Sequence, residues 1–410
     1  MKKYILAALF CGTFTFCSCS GFLDEVPKGQ ITTESYYRTE QHAISATNAI
    51  YNYLIMGYSP GGLWDKNYGG VFYNDYWVLQ DLFSDNANSQ QASIQYTSVD
   101  NMQIDQYNEP VELLWRDFYQ TIKCCNVVID KVPAIDMDDI LKKHLIAEAK
   151  FFRGMMYFDL IRMFGDVPLR EHNLESADEG SMVRVSKDEI YKLIFEDLIT
   201  AETDLKYSPR YGGWGGRPYP ESASALLARV YLTYAAEHND TEYYELAVKK
   251  ADAVIPKFPM LENYADLFKI SNRFNSEIIW GANFSASLSD GWAGAQFLVR
   301  LLPNMDGVDN AQGWESATEN LYSSFNANDA RLPVVLKRSV TYQDGTVKQF
   351  AEPYVFKYWD QEAEPKGNST DAIFPAIRTA EMYLIKAEAL NAINQGPTPD
   401  AVKAIKKVRD

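Results

Sequence analysis

Between Ala147 and Leu169 (AEAKFFRGMMYFDLIRMFGDVPL) the apolar positions cover more than one face of a helix. Phe151, Met155, Phe158 and Ile161 recur at spacings of four, three and three, and Phe152, Met156, Leu160 and Met163 form an adjacent stripe. A helix apolar over that much of its circumference must lie between other helices. Gly165 supplies a C-terminal stop and Pro168 bars continuation, so the pattern predicts a buried helix over about 137–164. The same spacing predicts a helix over 39–57. Thr39 is its N-cap, Glu40 sits in its first turn, and Ala43, Ala46, Ile50 and Leu54 face inward. Another is predicted over 110–132, where Trp115, Tyr119, Ile122, Asn126 and Ile129 share a stripe. Ser186-Lys187-Asp188-Glu189 is a capping-box pattern. It opens a helix carrying Ile190, Leu193, Ile194, Leu198, Ala201 and Leu205. Residues 221–236 form an alanine- and leucine-rich helix, and 241–254 its shorter partner.

Helices joined by short turns, with small residues against aromatics, are the pattern of tetratricopeptide-like pairs, although the strict repeat signature is absent. Helical spacing returns at 376–393 and at 398–410, where the chain ends with the helix still running. Two stretches break the pattern. Residues 58–109 read as loop-rich, with many Gly, Asn, Asp, Gln and Tyr. Residues 255–375 alternate β-like runs, Glu277–Trp280 and Tyr354–Tyr358, with Gly, Asn, Ser and Asp loops. The expected fold is mostly α: a scaffold of tetratricopeptide-like helical pairs (about 39–254 and 376–410) with a long loop-rich insertion (about 255–375).

Composition narrows the function. The chain has 410 residues, 47% of them hydrophobic, enough for a large core. A net charge of -16 argues against nucleic acid, whose phosphates need clustered Lys and Arg. Of five cysteines, three lie near the N-terminus, and Cys124 and Cys125 are adjacent in a helix, which disfavours a mutual disulfide. The histidines (His42, His144, His172, His238) have no metal-ligand spacing. There is no H-E-x-x-H and no phosphate-cradling loop. Gly212-Gly213-Trp214-Gly215-Gly216 lacks the lysine and the strand of a P-loop. The sequence therefore implies no catalytic residue, no metal and no cofactor.

The N-terminus reads as a targeting segment. Lys2 and Lys3 precede an apolar run, Tyr4 to Phe16, of signal-peptide length. Phe16-Cys17-Ser18-Cys19 then offers two cysteines. Ser18 is small where Phe16 is bulky, so cleavage is expected after residue 18, with Cys19 acylated. An ordinary secretory cleavage near Ser20 is the alternative. Acyl chains anchor a protein without a transmembrane helix.

Several segments, in order, resemble the SusD/RagB family of surface nutrient-binding lipoproteins. The helix at 147–169 resembles the family's signature helix, and SGFLDEVPKGQIT its mature N-terminus. Trp115-Arg116-Asp117-Phe118-Tyr119 through Asn126 is similar to its second-helix pattern. Gly216-Arg217 with Ala223 to Tyr231, Asn275 to Trp280, Asp329 to Leu332 and Ile377 to Leu384 resemble its later markers. Because such proteins usually run further, the chain resembles a truncated member. The resemblance implies residues 19–410 as one SusD-like domain, lipid-anchored at the cell surface on the outer membrane. It implies a non-catalytic glycan-binding role beside a SusC-like TonB-dependent transporter. Peptide cargo, as in RagB-type members, and a helical-repeat protein-interaction scaffold are the alternatives. It carries over no binding residue.

Candidate contacts come from sugar chemistry instead. A pyranose offers C–H groups to an aromatic face and hydroxyls to Asp, Asn, Gln or Arg. Trp64, Trp214, Trp292 and Trp314 lie in aperiodic stretches beside or within two positions of Gly, where a turn can display a large ring. Trp64 with Asp65, Asn67 and Tyr68, and Trp292 with Asp290, are the leading candidates; Trp314, which follows Asn310 and Gln312, is a further one. Trp77 is ambiguous. Asp85 and Asn86, in Asp81 to Asn88, suit either a sugar or a set of turn caps. Trp115, Trp280 and Trp359 fall in apolar patterns and read as core.

Overall fold

A computed structural model describes residues 36–55, 70–73, 75–90, 94–174, 182–206, 216–286, 295–308, 311–342, 344–360 and 370–409. Cys19, Trp64, Asp65, Tyr68, Trp214 and Trp292 lie outside the described residues.

The first helix, α1 (Glu40–Ile55), keeps its expected inward residues. Residues 58–109 depart from the loop expectation. They contain α2 (Asp75–Leu82), a short strand β1 (Ala87–Ser89) and α3 (Ile94–Asp100). In α2 six of eight residues are buried on all sides, so no polar face marks the period. Next come α4 (Glu109–Lys131), capped by the Asn108 side chain, and α5 (Asp139–Phe164), capped by Asp138. Helix α5 ends at Gly165, whose φ of 70° suits glycine. A two-residue ribbon, β2 (Val167–Pro168) with β3 (Arg184–Val185), leads into α6 (Lys187–Asp204). Ser186 accepts the Glu189 N–H, but the Glu189 carboxylate turns to Lys192 at 2.6 Å, so only half of the capping box forms. Helices α7 (Pro220–His238) and α8 (Thr241–Val254) follow, close to their expected bounds.

The insertion holds β4 (Ile278–Asn283), α9 (Phe297–Leu301), β5 (Glu315–Ala317), α10 (Glu319–Ser324), α11 (Leu332–Val335), β6 (Leu336–Thr341), β7 (Val347–Val355) and β8 (Ile373–Arg378). Helices α12 (Thr379–Ile393) and α13 (Pro399–Arg409) complete the described chain.

Helix–helix packing runs in sequence: α4 on α5, α5 on α6, α6 on α7, α7 on α8, with α1 against α4. Helix α8 then packs on α12, passing over the insertion, and α12 on α13. This is the expected scaffold of helical pairs. Helix α5 is its centre: from Phe151 to Ile161 every residue is buried. Its Gly154 lets α6 approach so closely that a Cβ there would lie 3.0 Å from Leu198. The one strong cation on this stretch, Arg153, is paired twice to Asp197 (2.6 and 2.9 Å) and donates to Asn126 Oδ1 and the Glu171 carbonyl. A buried charge needs such partners. Cys125 is buried, and both it and Cys124 are free thiols.

Among the described residues the strands form four two-stranded antiparallel ribbons: β1–β5, β2–β3, β4–β8 and β6–β7. The β4–β8 ribbon joins the two ends of the insertion, with Trp280 opposite Ile377. Trp280 is core as expected, packed against Phe151, Phe152 and Phe72. Trp115 is half-buried against Phe164, and Trp359 joins a small separate cluster with Phe356.

Candidate ligand-binding face

The β1–β5 ribbon brings together candidates that are far apart in sequence. Ala87, Asn88 and Ser89 pair with Ala317, Ser316 and Glu315. Backbone bonds extend the ribbon at both ends: Thr318 N–H to the Asn86 carbonyl at 2.9 Å, and Gln90 N–H to the Trp314 carbonyl at 2.8 Å. Thr318 Oγ1 also donates to the Asp85 carbonyl. Asp85, Asn86 and Trp314 therefore share one edge, with the Asp85, Asn86 and Gln90 side chains exposed.

Gly313 makes the turn into β5. Its φ is +53°, and a Cβ would lie 3.0 Å from the Tyr354 ring and 3.1 Å from Pro303 Cα. Glycine is needed there for both reasons. Trp314 follows, half-buried rather than projected into solvent. The Arg300 guanidinium of α9 lies 3.9 Å from its ring centroid, a close cation–π contact. Tyr96 of α3 packs beside it at 4.9 Å, tilted by 44°. Trp314 Nε1 donates to Gln312 Oε1 at 2.7 Å, and Arg300 donates to the same oxygen. Tyr96 O–H in turn donates to buried Asp75 at 2.8 Å. Burial lowers the pKa of Arg300, while Tyr73, Tyr96 and Asp75 favour its charge. The result is a held patch of ring, guanidinium and amide, bordered by exposed Gln312, Asn86 and Gln90.

Under this edge lies an unusual carboxyl. Glu315 is 1% exposed, and neither oxygen makes a well-formed hydrogen bond. Burial, and then the Asp81 carboxylate, push its pKa well above the usual range, with Lys357 opposing. Ser89, directly across the ribbon, also has a buried hydroxyl without a partner among the described residues.

Trp77 is corrected. It is 6% exposed in α2, packed on Phe297 with centroids 5.4 Å apart, and belongs to the core rather than to a ligand surface. Sequence reasoning missed Tyr96, Arg300 and Gln90. Arg300 had a signal, a lone cation in the apolar run FLVRL. Among the described residues no three His, Cys, Asp or Glu side chains converge as a metal site would require, and no helix is long and apolar enough to cross a membrane.

The fold and this face define a helical-pair scaffold presenting an aromatic and polar surface. The chain belongs to the SusD family. Residues 22–232 match the model described as "SusD-like_3: Starch-binding associating with outer membrane", and residues 310–410 match the SusD family model. It is 25% identical to SusD-like protein P25 of Formosa agariphila, over 97% of this chain and 79% of that one. A SusD superfamily protein from Parabacteroides distasonis superposes with a TM-score of 0.76 at 24% identity, covering 93% of this chain and 80% of its own. A laminarin-binding SusD-like protein superposes at 0.73 with 23% identity, covering 91% and 89%.

Proposed function

We propose that this protein is a non-catalytic glycan-binding lipoprotein of the cell surface, held at the outer membrane by acylated Cys19. It passes oligosaccharides to a SusC-like TonB-dependent transporter. The observation that carries the reading is the convergence of Trp314, Arg300, Gln312, Asn86 and Asp85 on one edge. An aromatic ring face takes the C–H groups of a sugar, and the guanidinium and amides take its hydroxyls. Trp64, Asp65, Tyr68 and Trp292 are proposed as further contacts, on their sequence chemistry alone. Family membership, the starch-binding description and the laminarin-binding relative support a glycan over other cargo.

The test is calorimetric titration of the folded protein with laminarin, starch and related neutral oligosaccharides, alongside a peptide library. Binding of at least one glycan, weakened by Trp314→Ala, is expected. Peptide binding without glycan binding would transfer the reading to peptide uptake. Shorter hydrolysis products appearing during incubation would overturn the non-catalytic claim.

A further inference from the structure

A second hollow lies away from the β1–β5 edge, where α1, the residues leading into α7 and the end of β4 meet. Its walls include Tyr51, Asn52, Arg217, Trp280, Asn283 and Ser285, and its volume is about 280 Å³. Small-molecule sites usually span about 300–1,000 Å³, so this one suits a single small ligand rather than a long chain.

The walls are held by a buried acid. Glu148 of α5 is fully buried and accepts two hydrogen bonds from Arg217 Nη1, at 2.8 and 3.0 Å. The Tyr51 hydroxyl donates to it at 2.5 Å. His144 Nε2 lies 2.8 Å from its other oxygen. The Lys206 N–H donates to His144 Nδ1 at 3.0 Å, so Nε2 carries the proton directed at Glu148. Burial raises the Glu148 pKa, but the His144 hydrogen bond, the Arg217 charge and the Tyr51 hydroxyl together bring it below the ordinary value. Arg217 also donates to Asn48 Oδ1, and its guanidinium lies 5.1 Å from the Tyr51 ring centroid. Trp280 is fixed by donation from Nε1 to the Gly216 carbonyl at 2.9 Å. Tyr51, Arg217 and Trp280 are therefore set in place before any ligand arrives, as a binding site requires.

Two side chains of the wall keep polar capacity for a ligand. Asn52 is exposed and Ser285 half-buried. A ligand that covered them without hydrogen bonds would carry the cost of leaving them unpaired. The charges narrow the ligand class. Arg217 is neutralised by Glu148, which disfavours a carboxylate or phosphate ligand. An apolar ligand would leave Asn52 and Ser285 stranded. We infer that this hollow is a second binding site for a small, neutral, polyhydroxylated ligand, a mono- or disaccharide unit, independent of the β1–β5 face.

Saturation-transfer NMR and titration of the full chain with methyl β-glucoside, galactose, N-acetylglucosamine, maltose and cellobiose at millimolar concentration test it. At least one sugar should bind, and its binding should persist in Trp314→Ala. Ser285→Trp fills the hollow and should abolish that binding. Asn52→Ala, at an exposed helix position, should weaken it about threefold to tenfold, the usual worth of one hydrogen bond, and stands in if Ser285→Trp does not fold. No binding by any of these sugars, binding unchanged in both hollow variants, or binding lost with Trp314→Ala would each overturn the inference. Loss of polysaccharide binding in Trp314→Ala alone bears on the proposed function and leaves the hollow untouched.

Discussion

The centre of the scaffold and the β1–β5 edge treat buried polar groups in opposite ways. In α5, Arg153 is buried, yet its donors are matched to Asp197, Asn126 and the Glu171 carbonyl. Glu148 is fully buried and takes hydrogen bonds from Tyr51 and Arg217. On the edge, the Ser89 hydroxyl and Arg300 Nε are buried without such partners among the described residues, and the buried Glu315 carboxyl faces the like-charged Asp81. Local rules and global packing agree in the first region and conflict in the second. Conflicts of that kind concentrate where a surface has a task besides stability. The scaffold is thus specified by its contacts, while the edge keeps unused polar capacity.

Substitutions should separate the two regions. Phe152→Ala removes a fully buried ring packed on Tyr51, Phe151 and Trp280. It is expected to cost about 3–5 kcal/mol of stability, read by denaturant unfolding, while the glycan affinity of the β1–β5 face in the molecules still folded stays unchanged. Trp314→Ala should do the reverse. Glycan affinity should fall tenfold or more, about 1.4 kcal/mol, with a smaller loss of stability than Phe152→Ala causes.

Glu315→Gln probes the conflict on the edge itself. The folded-state pKa of Glu315 is raised, so the folded chain holds a proton that the unfolded chain releases. Its favourable contribution is full below the ordinary carboxylate range and is lost as pH rises towards the raised value. The glutamine variant should therefore be more stable than the parent at pH 8 and similar at pH 4. Thermal melts across that range check it, and a variant less stable at pH 8 would contradict the assignment. The smallest effect belongs to Ser186→Ala. It removes the cap of α6 and should cost about 1 kcal/mol, with no effect on ligand affinity.

The scaffold was legible because its helices are long and periodic. Helix α8 was expected at 241–254 and forms over those residues. The Gly165 stop falls where the spacing ends. Helix α2 was not legible, because burial on nearly all sides leaves no polar face to mark a period. The ligand edge was legible only in parts. Trp314, Asp85 and Asn86 could be nominated from ring chemistry and turn residues. Their meeting depends on a ribbon joining residues more than two hundred positions apart, which no local pattern encodes. Arg300 and Tyr96 enter the face only through that long-range pairing. Trp77 was misread because an indole beside Asp75 and Tyr76 looks the same in sequence whether its helix faces the core or a sugar.

Amide hydrogen exchange, measured with and without a glycan that binds, tests the central claim most directly. Protection is expected to concentrate at residues 85–90 and 312–318, with α5 unchanged because it is already protected. Saturating glycan binding that leaves both of those stretches exchanging as before would contradict it.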